Sequence, residues 1–405
     1  MKTQFARKDP ARKKNSSKTR LLSKKKGWNR FESKPERKIR YAVVGLGSIS
    51  QMAVLPAFAH VSNSRLTALV SSDPKKLKVL GQRHRVKNLY SYDQYEECLR
   101  SGEIDAIYIA LPNEQHREYA ERAAAAGIHV LCEKPMAITP DDCESMIRAT
   151  DSARVKLMIA YRLHFEAANL RAIELVRSGK LGEPRIFSST FSIPVTARGI
   201  RLAPHSQGGG PTYDIGIYCI NAARYIFDSE PIEVLAISAA RDQERFRHIE
   251  ETMSVVLRFP DEKIAAFTCT FGGASSGSFQ VVGNQGTLVV SNAYEYAATK
   301  RIEVTLTGKK TRTEEFSERD QFAPELEYFS NCVLFNRTPE PSGWEGWSDI
   351  RIIQAIFEAE RTKMPVKLAW APRHDGPNHV QEIRKPPIQE PKWVDTEGPG
   401  GEEAA

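Results

Sequence analysis

Lys134 stands in the stretch HVLCEKPMAI, His129 to Ile138, between Glu133 and Pro135. The stretch opens as a short apolar run of the kind that forms a buried strand, which puts the lysine at the strand's end. Two readings fit it: a charged turn, or a catalytic lysine held at the mouth of a cofactor cleft. A second set of reactive side chains lies in GGGPTYDIGIYCINAARYIF, residues 208–227. Its glycines lead into a helix that carries Asp214 and Tyr218 four residues apart, on one face at 3.6 residues per turn. Taken alone, that pair reads first as a capped helix with a polar stripe.

A third stretch, AVVGLGSIS (42–50), gives these side chains a setting. Gly45-Leu46-Gly47 falls between the β-rich run IRYAVVG and a helical pattern. Glycines there permit a tight turn and the close approach of a pyrophosphate, and the following helix N-terminus offers free N–H groups. Gly45, Leu46, Gly47, Ser48 and Ile49 are therefore expected at a dinucleotide, with Ser50 in place of the fingerprint's third glycine. The end of the second strand, LVSSDPKK, chooses between the two dinucleotides. Ser71 and Ser72 with Lys75 and Lys76 suit a 2′-phosphate, so NADP is expected, with NAD as the alternative. Asp73 is the counter-argument, because an acid there would hold a free ribose hydroxyl.

These turns need strands and helices to carry them. From Ile39 to Tyr161, apolar runs (IRYAVVG, LTALVSS, IDAIYIALP, IHVLCE, KLMIAY) alternate with amphipathic helices, among them DPKKLKVLGQRH with Asp73 as N-cap and Pro74 at its first position. Such alternation implies βαβ units. The expected fold is an α/β Rossmann domain, a doubly wound parallel sheet, over residues 39–161. An α+β domain with a large, mostly antiparallel open sheet follows over 162–370, where PRIFSSTFSI, IEVLAISAAR, ETMSVVLRF, KIAAFTCTF, GSFQVVGN and GTLVVSN are strand-like. The late segment SDIRIIQAIFEAERTK reads as a helix, and residues 371–405 as a loose, Pro-rich C-terminal tail.

Charge narrows the function classes. Of 58 Lys+Arg and 50 Asp+Glu, residues 1–40 hold 16 and 3, so the body is mildly acidic and the basic character belongs to a tail. Residues 1–38 are expected to be disordered, with an interaction arm as the alternative. No nucleic-acid module is present, so nucleic acid is an unexpected partner. No stretch approaches the roughly 20 apolar residues of a membrane span. The tail has neither an apolar core after its charges nor a twin-arginine pair, and a cytoplasmic location is expected. The six cysteines (98, 132, 143, 219, 269 and 332) form no CxxC pair and read as reduced thiols, without metal or disulfide.

VGLGSIS, LPNEQHREYAERAAAAGIHVLCEKPMA, LMIAYRLHF and GGGPTYDIGIYCINAARYIF, in this order, resemble the Gfo/Idh/MocA oxidoreductase superfamily, and within it the glucose–fructose oxidoreductase branch. The likeness runs from about Ile39 to Leu368. It implies that Lys134 is the EKP lysine near nicotinamide and substrate, with Glu133 beside it and a cis Lys134–Pro135 bond. Asp214 and Tyr218 match the D-x-x-x-Y pair, and tyrosine rather than histidine marks the branch. The resemblance also implies cofactor contacts at Arg162, Ser71, Lys76 and Tyr92, and at the loop of Leu111, Pro112, Asn113 and His116. For His116 a helix cap is an equally good reading. The branch's archetype is exported and has an arm on a neighbour's cofactor; the basic tail here departs from it.

The implied chemistry is oxidation of a sugar or polyol hydroxyl, which releases a hydride to the nicotinamide and a proton to a base. Tyr218 would take or relay the proton, helped by the Lys134 ammonium at hydrogen-bonding range, while Asp214 binds a sugar hydroxyl and orients the pair. Arg201 and His205, in the loop PVTARGIRLAPHSQ, are candidate substrate contacts, although polar surface residues are the plainer reading. A non-catalytic dinucleotide sensor on the same fold is the alternative, disfavoured because it has no need of Lys134, Asp214 and Tyr218. A homo-oligomer, dimer or tetramer, is expected by analogy with relatives.

Overall fold

Strands apolar on both faces can be buried only in a sheet covered on both sides, and a parallel sheet with helical crossovers provides this. The computed structural model, which describes residues 37–196, 199–242, 244–371, 376–389 and 391–396, has that architecture in its first half. Strands β1 (Ile39–Val44), β2 (Ser64–Val70), β3 (Asn88–Tyr90), β4 (Ala106–Ile109), β5 (His129–Glu133) and β6 (Leu157–Ala160) pair in parallel in the order β3-β2-β1-β4-β5-β6. A helical segment leads from Ser50 through α1 (Leu55–Ala57), and α2 (Pro74–His84), α3 (Tyr95–Arg100), α4 (His116–Ala125) and α5 (Pro140–Ser152) make the other connections. Asp73 caps α2 by accepting from the N–H groups of Lys75 and Lys76, and Thr139 caps α5. The strand order reverses between β1 and β4, so the open crevice lies above the glycine turn.

The second half begins with α6 (Ala167–Arg177), β7 (Pro184–Ser192) and α7 (Ile217–Phe227). It continues through β8 (Glu233–Ala239), β9 (Thr252–Arg258), β10 (Ile264–Thr270), β11 (Ser276–Gly283), β12 (Gly286–Ser291), β13 (Lys300–Leu306) and β14 (Arg312–Phe316). Helices α8 (Ala323–Leu334) and α9 (Gly343–Thr362) and the short β15 (Val366–Lys367) complete it. The sheet order is β14-β13-β12-β11-β7-β10-β9-β8-β15, and β7–β10 is its parallel pair among the described residues. Period-two alternation gives the sheet one buried face, with Met253, Val255 and Leu257 of β9 beside Ala265, Phe267 and Cys269 of β10. The opposite face is open: Ile237 is 65% exposed, and Leu235 and Val256 lie near it, beside the Ser254–Thr268 hydroxyl pair.

Three features differ from the sequence expectation. The three-residue β3 is too short to show alternation, and β13 and β14 carry charges that mask theirs. Helix α8 buries the polar Glu325 and Ser330 with its apolar residues and leaves Glu327, Asn331 and Leu334 half-exposed, so polarity does not mark its outer face; its Leu326 and Phe329 pack with Tyr41, Leu69 and Val54 against the first sheet. Most of the basic N-terminal tail, residues 1–36, lies outside the described residues, as do 372–375, 390 and 397–405 of the C-terminal segment. The rest of that segment is not loose. Val394 is buried, its backbone N–H and C=O both bond the Gln51 side chain, Arg83 reaches the Lys392 carbonyl, and Lys385 pairs with Glu327.

Helices α7 and α9 meet around one buried guanidinium. Arg224 makes a two-pronged contact with Glu230 at 2.8 Å and reaches Glu345 at 2.6 Å and Asp349 at 2.7 Å. Burial pushes the Asp349 carboxyl up to about 7 against the pull of Arg224. Replacing one partner of such a cluster strands the others without counter-charge. Arg224→Leu is therefore expected to lower the unfolding free energy by about 3–5 kcal/mol, read from urea denaturation. A loss under about 1 kcal/mol would mean that the carboxyls are held neutral.

Candidate active site

Gly45 has φ +93°, and a Cβ there would lie 2.3 Å from the Ala110 carbonyl oxygen, so only glycine lets β1 turn beside the end of β4. A Cβ on Gly47 would meet nothing within 4 Å: the space above it is open to a ligand. The Ser50 hydroxyl donates to the Gly45 carbonyl at 2.6 Å and closes the turn where a third glycine was absent. Leu46 turns its side chain into the core and leaves its backbone to the turn, while Ser48 and Ile49, half-buried, start the helix.

At the end of β2, Asp73 Oδ1 accepts both N–H groups that cap α2, and the Asp73 N–H donates to the Ser71 hydroxyl at 3.2 Å. Lys75 pairs with Asp395 at 2.7 Å, whereas Lys76 has no carboxylate partner among the described residues. Tyr92 packs edge-on against Tyr119, and burial pushes its hydroxyl up to about 12.

The loop after β4 joins the two halves. Asn113 donates to the Gly208 carbonyl at 2.8 Å, and Gly208, at φ +80°, lies so close that an added Cβ would be 2.6 Å from the Asn113 amide nitrogen. Leu111 is buried, and Pro112 opens the turn that Asn113 begins. His116 corrects the expectation of a cofactor contact. It is fully buried, with Nε2 2.9 Å from the Leu111 carbonyl and Nδ1 3.0 Å from that of Pro135. With no surface to offer a ligand, it fixes the loop to the EKP turn from behind, and burial leads the causes that lower its imidazole.

The Lys134–Pro135 peptide bond is cis. The Glu133 side chain accepts from Tyr108 Oη at 2.6 Å and from the Lys134 N–H at 3.2 Å, and so braces the turn. Lys134 Nζ donates to the Asp214 backbone oxygen at 2.7 Å and to Oδ1 at 3.0 Å, while Arg201 Nε holds Oδ2 at 2.7 Å. Burial opposes the charge on Asp214, but Lys134 and Arg201 outweigh it and hold the carboxyl well below the usual range. Burial likewise opposes the ammonium, and Asp214, Tyr218 and Glu133 outweigh that, so the lysine is raised. The pair's contribution to stability is present between the two unfolded-state values. It is lost as pH falls through the depressed carboxyl or rises through the raised ammonium.

Tyr218 is the second correction. Lys134 Nζ is 5.0 Å from its ring centroid and does not bond its hydroxyl; Arg162 Nε donates to Oη instead, at 3.1 Å. The remaining Arg162 nitrogens hold Gln321 and the Tyr294 carbonyl, so this arginine, expected at the cofactor, positions the tyrosine. Asp214 lies in a π-helical stretch, Thr212–Gly216, that runs into α7; the equal spacing assumed for an α-helix does not hold there. Arg201 joins the site, and His205 does not: its ring bonds Glu250 and packs against Phe357. Gln321 and Tyr294 escaped the sequence reading because they arrive from loops more than a hundred residues beyond Arg162. Lys134, Arg162 and Arg201 thus bring three cations to Asp214 and Tyr218, with the Glu133 carboxyl behind Lys134.

Comparison with known proteins agrees with this construction. Residues 39–161 match the model of an oxidoreductase family with an NAD-binding Rossmann fold, and 169–289 match the GFO/IDH/MocA C-terminal domain. A D-xylose 1-dehydrogenase [NADP(+)] of Haloarcula marismortui is 31% identical over 337 residues, covering 82% of this chain and 93% of its own. A second such enzyme, from Haloferax volcanii, is 30% identical over 81% and 99%. Among solved structures, aldose-aldose oxidoreductase from Caulobacter crescentus, complexed with glycerol, superposes with a TM-score of 0.78 at 37% identity, over 82% of this chain and all of that one. With both halves matched in order, the chain belongs to the Gfo/Idh/MocA oxidoreductase family.

Proposed function

We propose that this protein is an NADP-dependent oxidoreductase acting on a CH–OH group of a cyclic sugar or polyol. One observation carries the reading: the Tyr218 hydroxyl, held by Arg162, stands beside the Lys134–Asp214 pair at the end of β5. The named activities of the relatives agree with it. The open space over Gly47, and Lys76 without a carboxylate partner among the described residues, fit a dinucleotide bearing a 2′-phosphate. When bound, the nicotinamide supplies the hydride acceptor. Tyr218 takes or relays the proton of the substrate hydroxyl, and the Arg162 hydrogen bond stabilises charge on its oxygen. Asp214 fixes the directions of Lys134 and Arg201, so both cations face the substrate without spending its binding energy on ordering them. Asp214 is thereby committed to two cations, and Arg201 is the better candidate for contact with a sugar oxygen.

The open sheet face around Leu235, Ile237 and Val256 supports assembly with a second copy, in a dimer or tetramer. The burial of all six cysteines as free thiols supports a reducing, cytoplasmic compartment.

The first test is turnover of D-xylose, D-glucose and D-galactose with each dinucleotide. NADP+ is expected to be preferred; a clear preference for NAD+ would defeat the reading of Lys76. Tyr218→Phe is expected to lower kcat by about 10²–10⁴-fold with NADP binding intact, the range of general acid–base catalysis. Gly47→Val is expected to leave the unfolding midpoint unchanged and weaken NADP binding about 100-fold, close to 2.7 kcal/mol, by titration calorimetry. Ile237→Glu is expected to shift the particle to a smaller mass in light scattering; an unchanged mass would remove this face from the interface.

A further inference from the structure

The bond between Arg162 Nε and Tyr218 Oη spans the junction of the two sheets. Arg162 follows the last strand of the first, and Tyr218 opens α7 over the second. Nothing in either element alone sets its length. Gln321 and the Tyr294 carbonyl anchor the Arg162 guanidinium itself, and one buried carboxyl ties flanking residues of both elements: Asp349, on α9. Its Oδ2 accepts from Tyr161 Oη at 2.5 Å and from Asn221 Nδ2 at 2.5 Å, and its Oδ1 accepts from Arg224 at 2.7 Å. Tyr161 is the residue before Arg162. Asn221 and Arg224 lie three and six residues after Tyr218 along the same helix. Asp349 and Arg224 are fully buried, Tyr161 is 3% exposed and Asn221 7%.

Stability does not explain the arrangement. Three carboxyls share one buried guanidinium, and well-packed apolar residues would serve the fold as well or better. An apolar side chain could not, however, accept from three donors on two elements. Both donors on Oδ2 end beside the reacting groups, one from the strand side and one from the helix side.

We propose that Asp349 is a positioning residue for the reaction: its carboxyl clamps Tyr161 to Asn221 and so sets the approach of Arg162 to Tyr218. The clamp rests on the reading of Tyr218 as the proton-handling group. Small misplacements of such groups are costly, about 10²-fold for 1 Å.

The test keeps the ion cluster intact and removes only the ties. Tyr161→Phe, Asn221→Leu and the double variant are compared in the full-length protein with NADP+ and the fastest aldose of the panel. Each single change is expected to lower kcat about tenfold, with KM and the NADP dissociation constant within about twofold. Because both act through one carboxylate oxygen, the double variant is expected to be no slower than the slower single one. Glu230→Gln, on the far side of Arg224, is the control and is expected to move the unfolding midpoint without changing kcat. Normal turnover in folded Tyr161→Phe overturns the clamp, as do losses that multiply in the double variant or an equal loss of kcat in Glu230→Gln. Full turnover in Tyr218→Phe overturns the reading of the site itself. A disabled Tyr218→Phe beside a normal Tyr161→Phe overturns the clamp alone.

Discussion

One carboxylate joins the two halves of this protein beside Tyr218. Asp214 comes from the π-helical start of α7 and holds Lys134 from the end of β5 and Arg201 from the loop before it. Lys134 brings the first sheet, the glycine turn and the bracing Glu133; Arg201 brings the substrate-side loop. Without the anion between them, two cations would repel each other in a partly buried cleft. The loop's other anchors, Asn113 on Gly208 and Glu250 on His205, make sense as means of delivering Arg201 to that carboxylate.

Hydrogen-bond capacity then divides the labour. Lys134 directs two of its three N–H bonds to Asp214 and offers Tyr218 its proximity to the ring. Arg162, whose planar fork can serve several acceptors at fixed angles, takes the hydroxyl, Gln321 and the Tyr294 carbonyl together. A lysine in that place could hold the charge but not the three directions. The tyrosine is thus oriented by one cation and overlooked by another, which leaves its oxygen a route to the substrate.

The local signals were legible in the sequence. Gly45 and Gly47 announced the turn, Asp73 and Pro74 the start of α2, and the spaced motifs the family. What could not be read was partnership over long distances. The spacing of Asp214 and Tyr218 suggested an α-helical face, whereas the backbone there is π-helical. The order Lys134, Arg162, Arg201 does not say which cation meets which acceptor. His116 illustrates the same limit: motif position placed it beside the cofactor, and only the burial of its ring showed it behind the loop. Helix α8 was missed for a related reason: Glu325 and Ser330 lie on its buried side, so its polar residues do not mark the exposed face.

The packing of the C-terminal segment on Gln51 bears on how the molecule is made. The cofactor half is translated before the second half, yet one face of its sheet is covered by α8 and its glycine-turn helix is gripped by Val394, 343 residues after Gln51. Domains usually mature in order of synthesis. Here the half that is made first waits on α8 and Val394, and its cleft remains uncovered on that flank until those later residues have been made.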